Sequence, residues 1–251
     1  MIRQHRAGRR TRRGHDRPSA AAGGRRRLAA AATISTAALA LAAGALAPGA
    51  PAAGAATVTL AANRACYVNT NPHKGAPMTI TGSGFAPGDP IQITGGTVAV
   101  TTSAGATGSF SVTTGAPTLA NADPGTVTTK LKVTDTRTSA TTTIAVTSAN
   151  LAVATIPTTV KDIATDKVTY TFSGFTPGRE VHAYYRVRGA VVAATRFGRA
   201  AGPCGTLRAR ALLYPGGHPR RNTYDVTFES SSRFSKTSTP RVDATLSILA
   251  L

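Results

Sequence analysis

Tryptophan is absent from this 251-residue chain, and the thirteen aromatic residues are six tyrosines and seven phenylalanines. Any core must therefore lean on aliphatic side chains and a few rings, because aromatics supply much of a small core's buried area. Acids are scarce too: ten, against twenty-nine lysines and arginines, for a formal net charge of +19. The carboxylates are dispersed, with no paired site and no Asp-x-Asp-x-Asp run of the calcium-loop kind. Five histidines are present, without the clustering with each other or with cysteine that zinc needs. No Gly-x-Ser-x-Gly elbow occurs. These gaps predict a protein that is not an enzyme, with no cofactor and no metal; a hydrolase is kept only as a control reading. No stretch after residue 57 sustains a 3.6-residue period, which argues against a helical body.

What is present begins with a leader. Residues 1–27 hold ten arginines and one acid, Asp16. Residues 28–47 carry no charge, and small residues and prolines follow to Ala56. A basic segment, an apolar segment and a small-residue exit have the layout of a secretory signal, with candidate cuts after Ala52 or Ala55. The alternative is a retained membrane anchor, since about 20 apolar residues can span a bilayer. The run is rich in alanine, which favours cleavage. Arg25-Arg26-Arg27-Leu28 resembles a twin-arginine signal without its usual hydrophobic sequel. The arginines stop where the apolar run starts, so they read as orientation charges rather than as a nucleic-acid arm. Residues 1–56 carry a net +9, residues 57–152 a net +2 and residues 153–251 a net +8. Removing the leader would leave a near-neutral first half and a basic second half, outside the cytoplasm or loosely wall-associated. Residues 241–249 read as a final strand, with no LPxTG-like sorting signal.

The remainder is built twice. Ser83-Gly84-Phe85-Ala86-Pro87-Gly88 returns as Ser173-Gly174-Phe175-Thr176-Pro177-Gly178. Glycine at 84 and 174 lets a strand bend where a Cβ would obstruct it. Phe85 and Phe175 can then turn inward. Pro87-Gly88 and Pro177-Gly178 suit a tight turn, with proline at the first corner and glycine at a positive-φ site. Gly108-Ser109-Phe110 is answered in register by Gly205-Thr206-Leu207. Around these motifs, alternating stretches bounded by Gly, Pro, Asn and Asp recur, as in all-β sandwiches. Strands are expected near 64–70, 77–83, 90–95, 97–102, 108–113, 127–134 and 141–147. In the second copy they are expected near 151–156, 167–173, 180–188, 190–197, 206–213, 222–230 and 241–249. The expected organisation is a signal segment at 1–56, a first antiparallel β-sandwich at 57–152 and a second, more basic one at 153–251.

The order G-x-G-F-x-P-G, a strand, then a G-S-F-type strand start resembles the bacterial immunoglobulin-like repeats of secreted and surface proteins. Residues 79–134 also resemble the neocarzinostatin-type Ig-like fold, without reproducing a chromophore-binding set. The resemblance implies tandem Ig-like sandwiches used as spacers, stalks, adhesive units or binding platforms; the fold alone does not choose among these. A structural or adhesive module facing an unknown protein or cell-surface partner is the leading expectation.

Two cysteines in an exported chain favour a disulfide. A Cys66–Cys204 bridge would clamp the halves and predicts that they pack side by side. Free thiols, pairing between chains, or Cys66 packed within its own half are the alternatives. The second half also carries a candidate anion-binding face. Alternation on 180–188 puts Val181, Ala183, Tyr185 and Val187 inward and His182, Tyr184, Arg186 and Arg188 outward. Arg208, Arg210, Arg220 and Arg221 add charge nearby. Such a face would suit a wall polymer, an acidic polysaccharide or extracellular DNA without sequence specificity. The competing reading is a self-paired face, with Arg186 and Arg188 reaching Asp225 and Glu229 across strands. The first half, with only Tyr67, Phe85 and Phe110 as aromatics, is expected to be the less stable.

Overall fold

The computed structural model describes residues 57–156, 162–218 and 220–248; the leader expected at 1–56 lies outside them. All regular structure among the described residues is β. The strands are β1 (Thr59–Ala62), β2 (Tyr67–Asn69), β3 (Pro77–Ser83), β4 (Pro90–Gly95), β5 (Val98–Ser103), β6 (Phe110–Gly115), β7 (Thr126–Asp135) and β8 (Thr141–Asn150). They continue with β9 (Ala152–Ile156), β10 (Lys167–Ser173), β11 (Glu180–Val187), β12 (Ala190–Arg199), β13 (Leu207–Leu212), β14 (Asn222–Glu229) and β15 (Arg241–Ile248).

They form four sheets. A three-stranded sheet, β1-β3-β6, faces a five-stranded one, β2-β8-β7-β4-β5. Their inner rows meet in one cluster: Met78 and Ile80 from β3, Phe110 from β6, Ile91 and Ile93 from β4, Leu131 and Val133 from β7. The second pair is β13-β10-β9 against β12-β11-β14-β15. There Val168, Tyr170 and Phe172 of β10 meet Val181, Ala183 and Tyr185 of β11 and Tyr224, Val226 and Phe228 of β14. Period-2 alternation produces both clusters, since every second side chain leaves the same face. All pairings are antiparallel except β2 with β8.

The strand expected at 64–70 is the shorter β2, and β1 before it is not among the expected strands. The chain makes β1 in one sheet, turns at Asn63, and makes β2 in the other. Asn63 accounts for the break: its side-chain oxygen accepts from the Tyr67 hydroxyl at 2.6 Å and from the Thr79 amide at 3.0 Å. The turn brings Cys66 to the end of the first sandwich.

The turn and the phenylalanine bond of the repeated corner are the same in both copies. Asp89 and Arg179 donate their amides to Ala86 and Thr176, closing the Pro-Gly turns at 3.1 Å each. Gly88 (φ 78°) and Gly178 (φ 75°) occupy the positive-φ position such a turn requires. The Phe85 amide bonds to the Gly108 carbonyl at 3.1 Å, and the Phe175 amide to the Gly205 carbonyl at 3.3 Å. At Gly108 and Gly205 a Cβ would overlap the carbonyl oxygen of the phenylalanine. This close approach explains why the G-S-F and G-T-L starts recur in register with the corner.

Cys66 and Cys204 are disulfide-bonded, 138 residues apart in sequence with Cα atoms 5.3 Å apart. The Ser173 hydroxyl ties the same junction. It donates to the Asn150 carbonyl at 2.6 Å and accepts from the Gly125 amide at 3.0 Å. Asn150 in turn holds the Asn121 carbonyl at 2.6 Å. The expected side-by-side packing is corrected: extended strand-to-strand contact stays within each sandwich. The bridge joins a turn at the end of one to a turn at the end of the other, so it needs no lateral contact.

Candidate functional site

β11 positions the candidate face. Val181, Ala183 and Tyr185 are buried inward. Burial pushes the Tyr185 phenol well above its ordinary value, with Tyr170 and Tyr214 adding to the effect. Beside this core, between edge strands β9 and β15, lies a cavity of about 460 Å³ lined by Val153, Tyr170, Tyr185, Val226, Phe228 and Leu246, among others.

On the opposite face, residues 230–240, between β14 and β15, fold back over the sheet. Tyr184, expected to be solvent-facing, is buried. Its hydroxyl donates to the Ser231 carbonyl at 2.9 Å, and its ring meets Phe234 edge-on with centroids 5.8 Å apart. Burial raises its phenol pKa, helped by the nearby Glu229 charge. Arg186 stacks over Phe234 at 4.8 Å and Arg241 lies 5.9 Å from the same ring. A phenylalanine held between two guanidinium groups gains from both its desolvation and the ring quadrupole.

The proposed cross-strand ladder forms differently. Arg186 is in register with Asp225, and His182 with Glu229. Arg186 donates instead to the Thr227 hydroxyl at 3.3 Å. Glu229 is fully buried; it accepts the Ser235 amide at 3.1 Å and the Ser238 hydroxyl. The carboxylate that sequence spacing offered to an arginine is thus spent on anchoring the covering loop. Next to the covering loop the ion pair is intrastrand, Arg241 to Asp243 at 2.8 Å. Burial opposes the Asp243 charge, but hydrogen bonds from Arg241 and Thr227 outweigh it and hold its pKa below the usual carboxylate value.

The remaining candidates are dispersed. Arg188 sits in the β11–β12 turn at φ 50°. Arg208 and Arg210 are exposed on β13, in register with Thr171 and Thr169 of β10, on a different sheet from His182. Arg220 and Arg221 are exposed before β14. No ion pair engages Arg188, Arg208, Arg210, Arg220 or Arg221 among the described residues.

Glu180 makes a second cluster, one that alternation alone could not reveal in full because its two arginine partners come from β12. Its carboxylate lies 2.9 Å from Arg196, 4.0 Å from Arg199 and 3.6 Å from the His182 ring nitrogen. Among the described residues, no group of three His, Cys, Asp or Glu side chains is placed to hold a metal. No helix among them is long and apolar enough to cross a membrane.

No family model matches the chain, and no curated protein matches it. Solved structures do. One similar structure is a tetra-tandem repeat in the extending region of a large adhesion protein: 18% identity, 75% of this chain, 48% of that one, TM-score 0.27. A second is the β-glucuronidase of Parabacteroides merdae: 6% identity, 76% of this chain, 24% of that one, TM-score 0.27. A third is the YadV chaperone: 8% identity, 76% of this chain, 99% of that one, TM-score 0.23. The chain thus spans about half the length of the first and a quarter of the second. At these values the activities of those proteins do not carry over, and the fold described above rests on its own strands and cores.

Proposed function

We propose that the protein is an exported, non-enzymatic extracellular module that is structural or adhesive in role. The observation that carries this reading is the junction. A disulfide, and the Ser173 hydroxyl bonded to the Asn150 carbonyl and the Gly125 amide, fasten the end of one sandwich to the end of the other. Structural disulfides persist in oxidising compartments, which agrees with the signal-like leader. A fixed joint suits a part that holds a distance or presents a surface. The test is small-angle scattering of the chain before and after reduction. A fixed joint predicts one maximum dimension in the oxidised state and a broader distribution after reduction. Indistinguishable flexibility in both states would remove the basis for the reading.

A second reading, binding of an anionic polymer through the basic second half, is favoured by the five arginines above that lack acidic partners. Salt-dependent retention on a heparin column at low ionic strength tests it. No retention would end it.

A further inference from the structure

The two copies can be compared position by position at the repeated corner, and there they differ in sign. In the first copy the residue after Pro-Gly is Asp89, buried, 3.0 Å from Arg137 on the β7–β8 turn. Its equivalent is Arg179, exposed and without an ion pair among the described residues. The backbone bonds are the same: Gly88 to Ala104 at 2.9 Å and Gly178 to Ala200 at 2.8 Å. The facing turn, residues 136–140 in the first copy, is residues 230–240 in the second and begins Ser230-Ser231-Ser232. A closed acid–base corner has thus become an open one lined by cations and hydroxyls.

Three depressions run together there. One, of about 370 Å³, lies between Thr176, Arg179 and Ser230–Ser232. The next, about 290 Å³, shares Arg179, Ser230 and Ser232 and adds His182 and Arg199. The third, about 400 Å³, shares Arg199, adds Thr171, Thr206 and Arg208, and ends against Gly125 and Thr126 of the first sandwich. The first two share Arg179, Ser230 and Ser232 and the last two share Arg199, which sets Arg179, Arg199 and Arg208 in succession along the track. Glu180 is the single carboxylate on it; Arg196 engages that group at 2.9 Å, while Arg199 stands 4.0 Å from it with its side chain 74% exposed.

We propose that this track is a binding groove for an acidic polysaccharide, the three arginines meeting successive sulfate or uronate groups and the serine and threonine hydroxyls meeting sugar hydroxyls. The inference rests on the anionic-polymer reading and names its locus and ligand class. A linear, open, shallow track suits a chain rather than a compact molecule, since closed pockets are what enclose small ligands. Hydroxyl lining suits a sugar. Single-stranded nucleic acid would want exposed rings on which bases stack; of the rings on the track, Phe172 is buried and His182 is mostly covered.

The test measures binding of the full chain to heparin, polygalacturonate, single-stranded DNA and duplex DNA at low and physiological salt. The variants are Arg179→Asp with Arg199→Gln, and Arg220→Gln with Arg221→Gln away from the track. Arg179 is exposed and makes no ion pair among the described residues, so Arg179→Asp breaks no such contact; an unchanged melting temperature checks this. Arg208→Gln, exposed on β13, serves as an independent second variant. The proposal expects heparin or polygalacturonate binding that weakens at least tenfold in the track variants and less than about twofold in the Arg220/Arg221 variant. Loss confined to the Arg220/Arg221 variant would overturn the groove and leave the anionic-polymer reading standing. No binding to any of the four probes overturns both. Binding to DNA alone overturns the polysaccharide assignment.

Discussion

Single side chains decide how the junction and the covering loop hold. Ser173→Ala removes one donor and one acceptor together and leaves the Gly125 amide without its partner. The expected cost is about 1–3 kcal/mol, read as a lower urea midpoint with an unchanged slope. Phe234→Ala empties the space between Arg186 and Arg241 and uncovers Tyr184. We expect about 2 kcal/mol of destabilisation from the lost ring contacts, with Tyr184 fluorescence becoming accessible to quenchers. Asp135 and Asp243 both sit below the ordinary carboxylate pKa. The Thr138 hydroxyl and the Arg137 and Thr138 amides do this for Asp135, against a burial effect that works the other way. A carboxylate whose folded pKa is depressed contributes stability above its unfolded pKa, near 4, and loses it as pH falls through the folded value. The melting temperature should therefore decline below about pH 4, and Asp135→Asn should flatten that decline. Some of this was legible in the sequence: the corner residues at 84–88 and 174–178 announced both their turn and their glycine geometry. The Glu229 partner was not. Alternation tells which face a side chain leaves from, and says nothing about a distant loop that later covers it.

At the scale of strands, period-2 patterning located fourteen elements to within a few residues, because most strands keep one alternating buried row, even where β11 carries two register irregularities and the end of β14 is buried on both faces. The exception was the first. Ala61-Ala62-Asn63 offers little β preference, and a switch of sheets leaves no mark on alternation. The corner and the strand that packs on it also make a strand-level prediction. Gly205→Ala forces a side chain into the Phe175 carbonyl at a positive-φ position, whereas Gly178 (φ 75°) has open space around it. Gly178→Ala should cost about 1 kcal/mol from backbone conformation alone, and Gly205→Ala several times more. Equilibrium denaturation of the two variants compares them directly.

For the molecule as a whole, the aromatic residues are concentrated in the second core, where Tyr170, Phe172, Phe197 and Phe228 contact one another with centroids 4.8–6.3 Å apart. The first core has a single ring pair, Phe85 with Phe110. Amides of β11 and β14 should accordingly outlast those of β4 and β7 in hydrogen exchange on the intact chain; the reverse order would contradict the core assignment. The bridge has a consequence for mechanical load. If the chain is pulled by its ends, tension enters at β1, passes through sulfur from Cys66 to Cys204, and leaves through β13, β14 and β15. Strands β2 to β12 lie inside the covalent loop and are loaded only through hydrogen-bonded pairs with the strands outside it, β1 on β3, β13 on β10 and β14 on β11. Force spectroscopy on the oxidised chain should never release the 138-residue loop. Adding a reductant under tension should lengthen the molecule by a further step of roughly 450–500 Å, at about 3.3–3.6 Å per residue and before subtraction of the folded span.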